Sequence, residues 1–153
     1  MRTSGYLNLG SKKLSTAIAR TLLAIQKSRV DFDAIAVRGV SGLLVGPAVA
    51  VALNKHLIVV RKTHDTAMNG SSHSYNQVEG CCKKNCRYII IDDFISTGET
   101  IGKVKEMVED FNETAILVGV VLYKNSIYRK AWPEWLRTEV KVYQANRCAT
   151  DVK

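Results

Sequence analysis

The chain has no apolar run long enough to cross a membrane. A transmembrane helix needs about 20 consecutive apolar residues, and every apolar run here is much shorter. The first residues also lack the apolar region of a secretory signal peptide. We therefore expect a cytoplasmic chain with no membrane partner, whose four cysteines are reduced.

Internal repeats and low-complexity segments are absent as well. The 153 residues suit one domain, and apolar residues at 46% are enough to build a core. We expect a single domain over residues 1–153.

The chain carries a net charge of +8, which raises the question of a nucleic-acid partner. However, the basic residues are scattered in pairs, and no helix pattern carries a basic stripe with interleaved aromatics. A small polyanionic substrate explains part of the charge. This pattern favours such a substrate over nucleic acid, which stays open as an alternative.

Apolar periodicity predicts alternating strands and helices. Short apolar runs predict strands at 34–37, 57–60, 88–92 and 115–122, and helical spacing predicts helices at 12–27, 43–53 and 99–111, with Pro47 in the first turn of the second helix. This order indicates an α/β fold, a parallel sheet with helices on both faces.

Tyr88–Thr100 is the most informative stretch. Its apolar strand ends on Asp92 and Asp93, and a hydroxyl-rich turn at 96–100 leads into a helix. Threonine hydroxyls, a glycine and the free N–H groups of a helix N-terminus suit a phosphate, and the acids suit sugar hydroxyls. The stretch therefore predicts a ribose 5-phosphate site. A Walker A loop is excluded, because no lysine follows the glycine of this turn.

Two further strand ends carry basic residues. Arg38 begins a glycine-bearing turn after the first strand, and Arg61 and Lys62 end the second. Turns at the carboxyl edge of a parallel sheet are common ligand positions. We therefore expect a second anion-binding group beside the two acids.

At these residues the chain resembles the type I phosphoribosyltransferases. Their fingerprint is an apolar strand, two acids, a few mostly apolar residues, and Thr-Gly followed by a small or hydroxyl residue. The resemblance covers about 33–122 and is closest to adenine-type members, with some orotate-type features. It implies a homodimeric enzyme that moves 5-phosphoribosyl from phosphoribosyl pyrophosphate to a nitrogenous base and releases pyrophosphate. It also implies Mg²⁺, bound through pyrophosphate and ribose hydroxyls without an assigned protein ligand.

The resemblance also implies roles for individual residues. The catalytic residues would be Asp92, Asp93 and Tyr75; the 5-phosphate would bind Ser96, Thr97, Gly98, Glu99 and Thr100; and pyrophosphate would bind Arg38, Gly39, Val40, Ser41, Arg61 and Lys62. We expect that a side chain at Gly98 would fill space that the phosphate needs.

A polar segment at 63–77 is too long for an ordinary connection, which is typical of lids, binding loops or disorder. The resemblance implies that it is a mobile lid. Orotate enzymes carry basic residues in this lid, and this segment has no lysine or arginine, which favours a purine acceptor over orotate. Ser96 stands where hypoxanthine-guanine enzymes have an aspartate. Neither departure fixes the base.

Three expectations remain. The resemblance also implies a small hood over the base, for which residues 124–136 are one candidate and the stretch before Leu14 is the other. Cys81, Cys82 and Cys86 are expected to be reduced thiols, with zinc as the alternative, because their spacing differs from a zinc knuckle. The alternative function is a non-catalytic regulator of the same fold that binds phosphoribosyl pyrophosphate or a nucleotide and contacts nucleic acid.

Overall fold

The computed structural model describes residues 11–62, 77–80, 83–124 and 129–145. These residues form a six-stranded sheet with helices on both faces. The helices are α1 (Ser11–Ser28), α2 (Gly39–Leu53), α3 (Glu99–Phe111) and α4 (Glu134–Thr138), with a 3₁₀ turn at Arg129–Ala131, and the strands are β1 (Ala34–Arg38), β2 (His56–Val60), β3 (Val78–Gly80), β4 (Arg87–Asp92), β5 (Ile116–Leu122) and β6 (Val142–Gln144).

The strand order is β3-β2-β1-β4-β5-β6. β1 pairs in parallel with β2 and β4, and β4, β5 and β6 continue the parallel array. β3 runs antiparallel to β2. The α/β class with helices on both faces is confirmed, and the short β3 makes the sheet mixed where we expected a parallel one. β3 has only three residues, two of them exposed, and so gives no apolar signal in the sequence.

The central strands are buried on both faces, which explains their continuous apolar sequence. In β4, Ile89 and Ile91 join the core beneath α1 and α2. Tyr88 and Ile90 join the opposite core beneath α3. Because strand side chains alternate between faces, one apolar run supplies both cores.

α2 starts earlier than expected. It begins at Gly39, directly after the last residue of β1, rather than at Leu43. Pro47 is therefore inside the helix and not in its first turn. The sequence missed this start because Gly39 and Gly42 resemble a turn and disfavour helix.

Within the described residues, no helix combines the length and hydropathy that a membrane span requires. β1, β2, β4 and β5 are parallel, so their carboxyl ends meet at one edge of the sheet. That edge holds the candidate site.

Candidate active site

A cleft of about 220 Å³ opens at the carboxyl edge of the sheet. It brings together most of the residues that the sequence predicted. Its lining comprises Arg38, Ser41, Lys62, Asp92, Asp93, Phe94, Ile95, Ser96, Thr97, Gly98, Glu99, Thr100 and Ile101. Residues from three strand ends and two helix starts thus converge on one volume.

Two buried carboxylates lie at the centre of the cleft. Asp92 is 5% exposed and Asp93 is 4% exposed. The Ser41 hydroxyl donates to Asp92 Oδ1 at 2.6 Å, and the Asp93 backbone N–H donates to the same oxygen at 2.9 Å. The Phe94 N–H donates to Asp93 Oδ1 at 2.9 Å. These bonds fix both carboxylates while leaving acceptor capacity for a ligand.

Burial raises the pKa of Asp92 from its ordinary value of 3.8 to about 6. The hydrogen bonds from Ser41 and from the Asp93 backbone act against this rise, and the neighbouring Asp93 charge adds to it. Desolvation disfavours the ionised form of a carboxyl group. Asp92 is thus a carboxylate that hydroxyl donors or a cation would stabilise, which is typical of functional sites.

The turn between β4 and α3 spans 93–98 and ends at Gly98, which has a φ of 85°. The Gly102 N–H makes a helical bond to the Gly98 carbonyl at 2.9 Å, so the preceding N–H groups lack helical acceptors. Thr97 Oγ1 accepts from the Glu99 N–H at a long 3.4 Å. These donors, at the positive end of the α3 dipole, suit a phosphate.

The reason expected for Gly98 is wrong. A Cβ at this position would lie 2.8 Å from Pro133 Cδ and 3.1 Å from Leu136 Cδ2. It would therefore clash with the segment around α4 instead of filling the space of a phosphate. The positive φ and this close approach both require glycine.

The same segment contains the described part of the predicted hood. Trp132 is 3% exposed, and its indole N–H donates to the Ile95 carbonyl at 3.4 Å. Leu136 is fully buried in the core beneath α3. These side chains pack beneath the turn at 93–98, on the side that faces the core. Residues 125–128 lie outside the described residues.

The junction between β1 and α2 supplies charge. Gly39 has a φ of 70°, and a Cβ there would lie 2.8 Å from Lys62 Cε and 3.1 Å from Nζ, so the ammonium group sits over the start of α2. Arg38 Nε is buried and, within the described residues, has no hydrogen-bond partner. A buried donor without an acceptor is costly. An anion bound here would satisfy it.

Some predicted residues are not placed in the cleft. The Arg61 guanidinium pairs with Glu79 of β3 at 2.7 Å and does not line the described cleft. The Val40 side chain is 62% exposed. Tyr75 and the rest of the predicted lid at 63–76 lie outside the described residues, as do Cys81 and Cys82. Cys86 is buried.

Two residues that follow β5 were not among the predicted site residues, although Lys124 is the first residue of the predicted hood. The Tyr123 hydroxyl donates to the Ser41 carbonyl at 2.7 Å. Lys124 Nζ lies 3.9 Å from Asp93 Oδ2, and the Lys124 N–H donates to the Asp93 carbonyl at 2.8 Å. Their position just beyond a parallel strand was the available signal, because it is the same signal that pointed to Lys62.

The donor set of the cleft fits Mg²⁺ bound mainly by a substrate. In the part of the chain that the structure describes, no three metal-ligating side chains cluster. Asp92 and Asp93 are nevertheless adjacent and buried, and the Asp92 carboxylate already accepts a hydrogen bond from Ser41. Mg²⁺ keeps several waters and commonly takes one or two carboxylates together with substrate phosphates.

Comparison with known proteins supports the family suggested by these features. No protein-family model matches the chain. An adenine phosphoribosyltransferase of Paraburkholderia xenovorans is 35% identical over 86 residues, covering 50% of this chain and 46% of that protein. An orotate phosphoribosyltransferase of Thermococcus gammatolerans is 26% identical over 98 residues, covering 64% and 49%.

A third relative is a purine biosynthesis transcriptional repressor of Bacillus subtilis. It is 23% identical over 141 residues, covering 84% of this chain and 49% of the repressor. The chain spans about half the length of these curated relatives.

Solved structures share the fold. The adenine phosphoribosyltransferase from Thermoanaerobacter pseudethanolicus matches with a TM-score of 0.64 and 20% identity, covering 92% of this chain and 83% of that one. The orotate phosphoribosyltransferase of Francisella tularensis matches with a TM-score of 0.65 and 17% identity, covering 88% and 66%. The sequence relatives and the shared fold together confirm the resemblance to the type I phosphoribosyltransferases, whose fold this chain has.

Proposed function

We propose that the chain is a phosphoribosyltransferase that moves 5-phosphoribosyl from phosphoribosyl pyrophosphate to a nitrogenous base and releases pyrophosphate. The observation that carries this proposal is the meeting of two anion-binding groups around two buried carboxylates in one cleft. Phosphoribosyl pyrophosphate has the same order of parts: a phosphate, a ring of hydroxyls and a pyrophosphate.

Each part of the substrate would have its own partners. The 5-phosphate would bind the turn at 93–98 and the first N–H groups of α3, with the hydroxyls of Thr97 and Thr100. The ribose hydroxyls would donate to Asp92 and Asp93. The pyrophosphate would accept hydrogen bonds from Arg38 and Lys62, which includes the buried Arg38 Nε.

The reaction breaks the bond between the anomeric carbon and pyrophosphate and forms a bond from that carbon to a base nitrogen. Positive charge develops on the ribose ring while negative charge grows on the departing pyrophosphate. Arg38 and Lys62 would stabilise the leaving group, and the carboxylates would stabilise the ring. Bound Mg²⁺ would supply further positive charge to the pyrophosphate.

We propose a purine, in preference to orotate, as the acceptor. Support comes from the absence of lysine and arginine in 63–77 and from the adenine phosphoribosyltransferases among the relatives. Transfer to a preformed base is a nucleotide-salvage reaction. The test is pyrophosphate release and nucleotide formation with phosphoribosyl pyrophosphate, Mg²⁺ and a panel of adenine, hypoxanthine, guanine, uracil and orotate. A purine nucleotide is expected, and orotidylate alone would refute the acceptor.

A second candidate is a non-catalytic regulator that binds phosphoribosyl pyrophosphate or a nucleotide and contacts nucleic acid. The alignment with a transcriptional repressor over 84% of the chain favours it. The same panel separates the two functions. A regulator would bind phosphoribosyl pyrophosphate in calorimetry but release no pyrophosphate with any base.

We also propose that the chain forms a homodimer, as the resemblance implies. α2 has no charged side chain, yet Val40, Leu43 and Val51 are 62%, 45% and 82% exposed. A helix that is apolar on all sides is normally buried, and a second copy would offer the same face across a two-fold axis. Sedimentation should show a dimer that Val51→Lys dissociates. A monomeric wild-type chain would refute this interface.

A further inference from the structure

A second cavity, of about 350 Å³, lies between the N-terminal half of α1 and the residues that follow β5. Its lining is basic and hydroxyl-bearing. The lining residues are Lys12, Lys13, Thr16, Ala17, Arg20, Tyr123 and Lys124. We call it the basic cavity. None of its described lining residues is acidic, so it suits an anion and disfavours a cation.

The stability of α1 does not account for these cations. α1 contains no acidic residue, and Lys12 and Lys13 stand in its first turn, where the helix dipole disfavours positive charge. Lys13, Ala17 and Arg20 are three and four residues apart and so share one side of the helix. Lys13 and Arg20 therefore place two positive charges on the same side of α1, and both residues line the cavity.

The basic cavity is separate from the active-site cleft, but two of its lining residues contact residues that line the cleft. No residue of α1 lines the described cleft. Tyr123 and Lys124 line the basic cavity and also contact the cleft: Tyr123 bonds the Ser41 carbonyl, and Lys124 Nζ lies 3.9 Å from Asp93 Oδ2. An anion in the basic cavity would thus lie beside the carboxylate pair without occupying its space.

We propose that the basic cavity is a second anion site, which binds a small phosphate-bearing ligand such as pyrophosphate or the phosphate chain of a nucleotide. Four cationic groups can form charge-assisted hydrogen bonds to phosphate oxygens, whereas the hydroxyls of Thr16 and Tyr123 already donate to the Lys12 and Ser41 carbonyls. The volume lies in the range of small-ligand sites. A concave site of this size suits a compact ligand better than an extended nucleic-acid duplex.

The test is calorimetric titration with inorganic pyrophosphate at fixed physiological salt. Four proteins are compared: wild type, Lys13→Gln/Arg20→Gln, Arg38→Gln, and the control Lys84→Gln/Lys103→Gln, which loses the same charge at exposed positions away from α1. Wild type and the control are expected to bind two pyrophosphates per chain. The α1 double variant should lose one site, weakening it at least tenfold, and Arg38→Gln should lose the other.

The two sites can fail independently. A single site in wild type that only Arg38→Gln abolishes would overturn the basic cavity and leave the proposed function standing. A single site that only the α1 variant abolishes would support the basic cavity and contradict the assignment of the cleft. Equal weakening by the control would also overturn the proposal, because it would show an unspecific charge effect. All four proteins are also titrated with a short DNA duplex. If the α1 double variant loses DNA binding but keeps both pyrophosphate sites, the proposal of a small-anion site is also overturned.

Discussion

Two strand-to-helix junctions flank the carboxylate pair, and they offer an anion different kinds of binding group. At the first, β1 passes into α2 without a linker, and the side chains of Arg38 and Lys62 supply charge. At the second, residues 93–98 separate β4 from α3, and backbone N–H groups and hydroxyls supply the donors. One junction therefore depends on charged side chains, and the other depends on backbone shape.

Because of this difference, we expect substitutions at the two junctions to change different properties of the protein. Charge can be removed from the first junction without disturbing packing, because Arg38 and Lys62 are not core residues. The shape of the second junction rests on Gly98 and the side chains beneath it. Substitutions at the first should reduce binding and rate, whereas substitutions at the second should first reduce stability.

The largest effect is expected at the charged junction. Arg38→Gln should lower kcat/KM by about 10²–10³-fold, because it removes a fixed donor to the leaving pyrophosphate. Arg61→Gln is the matched control, since Arg61 pairs with Glu79 and does not line the described cleft. Steady-state kinetics checks both variants. An equal loss in Arg61→Gln would place Arg61 in the site and refute the distinction between them.

Asp93→Asn tests the group between the two junctions. We expect kcat/KM to fall by about 10²-fold, or roughly 3 kcal/mol of transition-state stabilisation. Binding of pyrophosphate alone should change little, because Asp93 would contact ribose. A variant with full activity would end this assignment.

The positive-φ glycines at the two junctions, Gly39 and Gly98, sharpen the contrast. Gly98→Ala should lower the free energy of unfolding by about 2–4 kcal/mol, because the strained backbone adds to a clash with Pro133 and Leu136. Gly39→Ala should cost only about 1–2 kcal/mol of backbone strain, because it meets the end of the flexible Lys62 side chain. The new methyl group would displace the Lys62 side chain, so Gly39→Ala should instead weaken pyrophosphate binding. Urea unfolding and calorimetry check the pair, and a reversed order of stability loss would contradict this explanation.

The last expected effect depends on pH and concerns Asp92, whose hydrogen bond with Ser41 links β4 to α2. Burial raises its folded pKa to about 6, above the ordinary 3.8. Its ionisation therefore costs stability above pH 6, and this cost disappears below about pH 4. Asp92→Asn should raise the free energy of unfolding by about 1–3 kcal/mol at pH 7 and change it little at pH 4. A gain that is equal at both pH values would show that ionisation is not the cause.

The sequence predicted the central strands, α1, α3 and the turn before α3, because each depends on local signals. The turn was expected at 96–100 and lies at 93–98. Ile89–Ile91 form an apolar run, and Glu99–Phe111 has helical periodicity. The three-residue strands β3 and β6 were missed, since their pairing partners lie elsewhere in the chain.

Long-range contacts account for what was missed in the site. The bond from Ser41 to Asp92 spans 51 residues, and that from Tyr123 to Ser41 spans 82. The packing of Pro133 on Gly98 depends on how the chain returns to the turn, so the pattern of the turn alone suggested the wrong reason for the glycine. Arg61 and Lys62 are adjacent in sequence, but only Lys62 turns towards the cleft.

A crystal structure with bound phosphoribosyl pyrophosphate and Mg²⁺ tests the central claim most directly. The two ends of one ligand would then report on both junctions at once. We predict the 5-phosphate against Thr97, Thr100 and the first turn of α3, the pyrophosphate against Arg38 and Lys62, and the ribose hydroxyls on Asp92 and Asp93. A ligand bound in the reverse direction, or bound only in the basic cavity, would contradict the assignment.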